Sequence, residues 1–105
     1  MYDTNKVIAK IKSDDNNKNE RYFHDFLQTN SIDAGILVLK PGQKDIQEPH
    51  SRDEIYYIIE GNGFIEIGEN TYSFHSGMCI FVPSNTPHRL FDNISQVIAL
   101  YIFGR

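Results

Sequence analysis

Cysteine is nearly absent from this 105-residue chain: Cys79 is the only one. A lone thiol closes no disulfide within its own chain, so the fold must be held by its core, and a reducing compartment such as the cytoplasm is expected. No apolar run approaches the roughly 20 residues that span a bilayer. The first residues, MYDTNKVIAKIKSDD, lack the apolar centre of a secretory signal. Positive charge is sparse and scattered: ten Lys and Arg against fourteen Asp and Glu give a net charge of −4. That balance offers no basic stripe to a nucleic acid or an anionic membrane, and neither is expected as a partner. Also missing are a phosphate-cradling Gly-rich loop, a nucleophile elbow, a Ser-His-Asp order and a CxxC pair. Gly61-Asn62-Gly63 reads as a turn.

What the chain does have is a strand-and-turn rhythm. AGILVLK (34–40), IYYIIEG (55–61), FIEIG (64–68), TYSFH (71–75), MCIFVP (78–83) and QVIALYIFG (96–104) are apolar or alternating runs. Gly, Pro, Asn or Ser punctuates most of their ends, as strands require. RYFHDFLQ (21–28) fits strand or helix by period, and only a resemblance of fold decides for strand. NKVIAKIK (5–12) reads as an edge strand, and SDDNNKNE (13–20), which has no apolar anchor, as an exposed loop. No segment makes a convincing helix. One all-β domain over residues 1–105, a sandwich or barrel, is expected.

The chemistry concentrates between Gly42 and Gly61. Glu48 and His50, two apart on an extended segment, share a face, and Glu54 returns to it after a short turn. His88 supplies a second imidazole from farther along. Two imidazoles with one or two carboxylates form a mixed nitrogen–oxygen set suited to Fe, Mn, Ni, Zn or Co as a divalent ion. The same groups buried together without a cation would be costly, which favours metal over a vestigial cluster. Tyr56 shares the inward parity of Glu54, so it either lines the site as a catalytic or positioning hydroxyl or packs in the core. Tyr57 and Ile59 face the other way. His24 and His75 are expected to be structural or exposed, Arg89 to point outward, and Cys79 to be a small apolar packer.

These spacings resemble the two cupin motifs. Gly42, Glu48-Pro49-His50, Glu54 and Gly61 fall in the register of the first (about 42–61). Gly77, Pro83-Ser84-Asn85, His88 and Asp92 fall in that of the second (about 77–92), after a spacer of fifteen residues. The resemblance implies a double-stranded β-helix, or jelly-roll, barrel with a mononuclear metal in its mouth. Three departures stand out. Glu48 occupies the place of the family's first His ligand, Asn85 that of a turn Gly, and Asp92 that of an Asn. Asn tolerates positive φ, so the turn should survive. Parity favours Glu48 as the fourth ligand, while small cupins of this kind often carry Gln at the place of Gln47, and a bulge at Pro49 would turn it inward. The implied activity is on a small organic acid, diketone or phenolic, oxygenase- or isomerase-like. The competing reading is a barrel that binds or senses a small ligand without turnover. A homodimer, paired through an N-terminal strand, is expected.

Overall fold

The computed structural model describes residues 1–13, 22–46 and 49–104. Among these residues, eight antiparallel strands form two facing sheets. They are β1 (Phe23–Gln28), β2 (Ile32–Leu39), β3 (Glu54–Glu60), β4 (Asn62–Ile67), β5 (Asn70–His75), β6 (Cys79–Val82), β7 (His88–Phe91) and β8 (Val97–Gly104). One sheet runs β1-β2-β8-β3-β6 and the other β5-β4-β7. The jelly-roll class holds, as do the strands expected from β1 onward, but Gly61-Asn62-Gly63 is not a turn: Asn62 and Gly63 open β4, which pairs with β5 and β7.

Alternation sorts β3 between two environments. On β3, Glu54, Tyr56 and Ile58 are buried while Ile55, Tyr57 and Ile59 are exposed. Leu37 and Leu39 of β2, and Val97, Ala99, Tyr101 and Phe103 of β8, join the same interior, closed from the other sheet by Ile65, Phe74 and Leu90. This is the barrel core, and Glu54 and His88 sit at one end of it.

The N-terminal segment departs from expectation. Residues Thr4–Ser13 form a helix, α1, not an edge strand. The Asp3 carboxylate caps it, accepting from Asn5 N at 3.0 Å, while Lys10 and Lys12 occupy its last turn, where the helix dipole favours cations. Val7, Ile8 and Ile11 then fall on one face, packed on Ile36, Val38 and Ile98. A helix this short is marginal alone, so that apolar face, worth about 1.5–3 kcal/mol per fully buried Ile, holds it in place. β2 is consequently buried on both faces. The loop expected over residues 13–20 lies outside the described residues apart from Ser13, which ends α1.

Cys79 is a second correction: its side chain is exposed. β6 is the edge strand of its sheet, and an apolar run there is buried on the core face alone.

One glycine marks where the interior is tightest. Gly35 pairs with Tyr101, and a Cβ at Gly35 would come within 2.2 Å of the Tyr101 hydroxyl and 2.5 Å of the His24 carbonyl. The backbone oxygen cannot step aside without distorting β1. Gly35→Ala is therefore expected to cost about 1–3 kcal/mol, read as a lowered denaturant midpoint at unchanged slope.

Candidate metal centre

Three side chains converge at the barrel end from three different segments. Glu54 opens β3, His88 opens β7 in the opposite sheet, and His50 lies in the loop before β3. Each offers one donor atom, and the three donors lie within 4.8 Å of one another. Glu54 is 1% exposed and His88 7%.

The local sequence explains why the loops hold still. Asn85 takes φ 58°, the left-handed turn its amide side chain tolerates, and its N–H donates to the His50 carbonyl. Asp53 fastens the same two loops, its carboxylate accepting from Ser84 N at 2.9 Å and its carbonyl from Gly104 N at 3.0 Å. Asp92 also takes a left-handed φ, of 52°, and leaves the structural amide to Asn93. Buried Asn93 donates to the carbonyls of Leu39 at 3.2 Å and Ser95 at 2.9 Å.

His88 is fixed in a ligand's tautomer. Its Nδ1 lies 3.0 Å from the Thr86 carbonyl, which can only accept, so Nδ1 carries the proton and Nε2 faces the centre. Nε2 stands 3.0 Å from Glu54 Oε1, an ion-pair distance without the alignment of a hydrogen bond. Among the described residues, His50 Nε2, His88 Nε2 and both Glu54 oxygens are buried without a hydrogen-bond partner. Four such atoms in one place are expensive by themselves, and a cation at their common focus satisfies them together. The donor set thus fits a divalent metal.

Electrostatics separate the two imidazoles. Burial lowers the pKa of His50, with the charges of His88 and Arg52 adding to the effect and Glu54 and Asp25 opposing it. Burial pushes His88 down as well, but Glu54, the Thr86 carbonyl and Asp45 outweigh it, and the net shift is upward. His50 is therefore poised as a neutral donor, while the Glu54 carboxylate favours the protonated form of His88.

Beside His50 opens a cavity of about 380 Å³, walled by Tyr22, Phe23, Ile46, Tyr101 and Phe103, with Asp25 and Arg52 at its margin. The His50 ring stands edge-on to Phe103 at 4.5 Å. Arg52 lies 4.8 Å over the Phe103 ring and reaches Asp33 on β2 at 2.6 Å. Tyr101 donates to Asp25, and Tyr22 donates to Asp45 at 2.7 Å. A larger cleft, of about 670 Å³ between the segments 42–46 and 89–94, does not reach the three donors.

Of the residues singled out from sequence, His50, Glu54 and His88 come together. Glu48 and Gln47 lie outside the described residues. Tyr56 is wholly buried, its ring 6.1 Å from that of His88, and is not part of the cavity wall. His75 is exposed, with Nδ1 2.9 Å from the Ser76 carbonyl, and His24 lies half-buried on β1. Arg89 points outward, near Glu66 and over Phe91. Arg52, Phe103 and the Tyr22–Asp45 pair were not singled out from sequence. Arg52, between two ligands, carried a positional hint, whereas the partners of the others are too distant along the chain for any local pattern.

Comparison with known proteins agrees with this architecture. A family model described as a cupin domain matches residues 35–103. The uncharacterized protein SCO3923 of Streptomyces coelicolor is 29% identical over 84 residues, covering 80% of this chain and 79% of that protein. Mannose-1-phosphate guanylyltransferase RfbM of Salmonella typhimurium is 30% identical over 100 residues, which cover 86% of this chain but 21% of the enzyme. Among solved structures, TT1209 from Thermus thermophilus superposes with a TM-score of 0.77 at 22% identity, over 99% of this chain and 95% of that one.

Proposed function

This chain belongs to the cupin family, and from that premise we propose that it holds one divalent metal through His50, Glu54 and His88 and presents it to a small oxygen-bearing organic molecule. The observation that carries the proposal is the cluster of buried donor atoms without hydrogen-bond partners at one end of the barrel core. Glu48 is the proposed fourth ligand, with Gln47 as its alternative.

A bound metal would supply Lewis acidity toward a ligand oxygen, and a redox-capable ion would extend that to oxygen chemistry. The chain's own residues do the rest. The Tyr22, Phe23, Tyr101 and Phe103 rings favour a compact, partly apolar or planar body such as a phenolic, a diketone or an aromatic acid. Phe103 packs edge-on against the His50 ring from the cavity side, and Arg52 lies over Phe103 in turn. Tyr56 is assigned to packing the His88 ring, in place of the catalytic hydroxyl that its parity also allowed.

One observation favours binding without turnover. The cavity's hydroxyls and guanidinium are already committed to carboxylates: Tyr22 to Asp45, Tyr101 to Asp25, Arg52 to Asp33. Proton donors so engaged are poor general acids, and a ligand-sensing barrel needs none.

Elemental mass spectrometry on protein purified without an affinity tag tests the metal, with Glu48→Ala and Gln47→Ala alongside. Near-stoichiometric metal that falls in Glu48→Ala and persists in Gln47→Ala supports the four-ligand assignment. The reverse moves the fourth ligand to Gln47. No metal in any preparation, even after reconstitution with Fe, Mn, Ni, Zn or Co, would sink the proposal. Oxygen consumption and product analysis with small acids, diketones and phenolics then separate an enzyme from a binding barrel.

A further inference from the structure

The five-stranded sheet has two faces, and the fold covers the outer one over only half its width. α1 lies over β1 and β2, with Ile98 at the β8 margin. Beyond that line the same face continues across β8, β3 and β6 with none of the described residues over it. Ile55 pairs with Phe81 on one side and Ile102 on the other, and Tyr57 pairs with Cys79. Ile59 completes the row. Their exposures are 46% for Ile55, 56% for Phe81, 36% for Ile102, 43% for Tyr57 and 38% for Ile59, and Cys79 is exposed too.

We propose that this uncovered half-sheet is the contact surface for a second copy of the chain, meeting its own counterpart across a two-fold axis. Three observations favour that occupant. Within this sequence, residues 14–21, DDNNKNER, contain no apolar side chain with which to cover the face, and the apolar face of α1 is already spent on β2. The patch is uncharged, with no ionisable carboxylate or cation on β3, β6 or β8 between buried Glu54 and Glu60 at the strand end. Two copies that each carry a net charge of −4 repel elsewhere, so a neutral, self-complementary face is where they can meet. The size also fits. Side chains exposed to this degree present on the order of 500 Å² of apolar surface, within the range of the largest contiguous patch on a monomer, which is often a functional one. That equals the apolar share of a standard interface of about 800 Å² per partner.

This surface replaces the pairing through an N-terminal strand anticipated from sequence, since the N-terminal segment is helical. It lies on the outside of the barrel, so it is independent of the metal assignment.

Sedimentation velocity between about 1 and about 100 µM tests it, with Tyr57→Lys and Phe81→Lys, both exposed in one copy and so compatible with folding. A dimer is expected for the wild type. Because symmetry uses each residue twice, each lysine is expected to weaken it by at least about 100-fold, with circular dichroism unchanged. A wild-type monomer throughout that range would overturn the proposal, as would a dimer of undiminished strength in both variants. A measurement without variants guards against misfolding: Cys79 is treated with a bulky maleimide-polyethylene glycol. Protection of the thiol, or conversion of labelled protein to monomer, supports the interface, and fully labelled protein that stays dimeric refutes it.

Discussion

Glu54→Gln is expected to abolish metal-dependent stabilisation while leaving the metal-free protein close to wild-type stability. The two effects separate because Glu54 plays opposite parts in the two states. With a cation present, its carboxylate supplies the charge that makes the site selective for a divalent ion over water. Stabilisation by a bound ligand grows as RT ln(1 + [L]/Kd), about 4 kcal/mol at a thousandfold excess over Kd. A neutral amide is a far weaker donor, and most of that increment should vanish. Without a cation, a 1% exposed carboxylate with neither oxygen hydrogen-bonded is itself a burden, offset only by His88 at 3.0 Å. Replacing it with an amide of the same shape removes both the burden and the offset, so the apo proteins should agree within about 1 kcal/mol. Melting temperatures of both proteins, with chelator and with saturating Zn or Mn, provide the check. A wild-type melting point unmoved by every metal, or a Glu54→Gln protein that still responds fully, would refute the assignment of Glu54.

How much of this was legible in the sequence depended on the range of the interaction concerned. The strands were, since alternation and turn residues act within a few positions; β3 presents Glu54, Tyr56 and Ile58 inward as its parity dictates. His50 and Glu54 were legible for the same reason, while His88, far along the chain, was brought to them by the resemblance of the spacings to two known motifs. α1 was not. Its apolar residues on the packed face number only Val7, Ile8 and Ile11, a pattern too short to distinguish the helical period from an edge strand. Its helical state depends on Ile36, Val38 and Ile98, far away in sequence. Cys79 was misjudged because an apolar run does not say whether its strand lies in the middle of a sheet or at its edge. The clasp of Arg52 on Asp33, 19 residues apart, belongs to the same class, set by topology.

Asp45 illustrates that class best and carries the largest expected loss of stability. It lies between β2 and β3, 8% exposed, and nothing around it in sequence marks it as structural. Its Oδ1 accepts from the Tyr22 hydroxyl at 2.7 Å and its Oδ2 from Leu90 N at 2.8 Å, while the same hydroxyl accepts from Ile46 N at 2.9 Å. One carboxylate thus ties the entry to β1, its own loop and β7 together. Asp45→Ala would leave a buried hydroxyl and a buried amide without an acceptor, each costing about 1–3 kcal/mol, so a total loss of about 2–6 kcal/mol is expected. Asp45→Asn keeps one acceptor and should lose less. The network also has a pH signature. Burial first, and then the Asp45 charge and hydrogen bond, hold the Tyr22 hydroxyl protonated well above its ordinary range. A group whose folded pKa is raised contributes stability fully present below its unfolded value, about 10 for tyrosine, and lost as pH climbs toward the folded value. Wild-type stability should therefore begin to fall above about pH 10, and Tyr22→Phe, which cannot ionise there, should fall less steeply although it starts lower. Denaturant midpoints between pH 7 and pH 11 measure both slopes; parallel curves would show that Tyr22 is not held by Asp45 in this way.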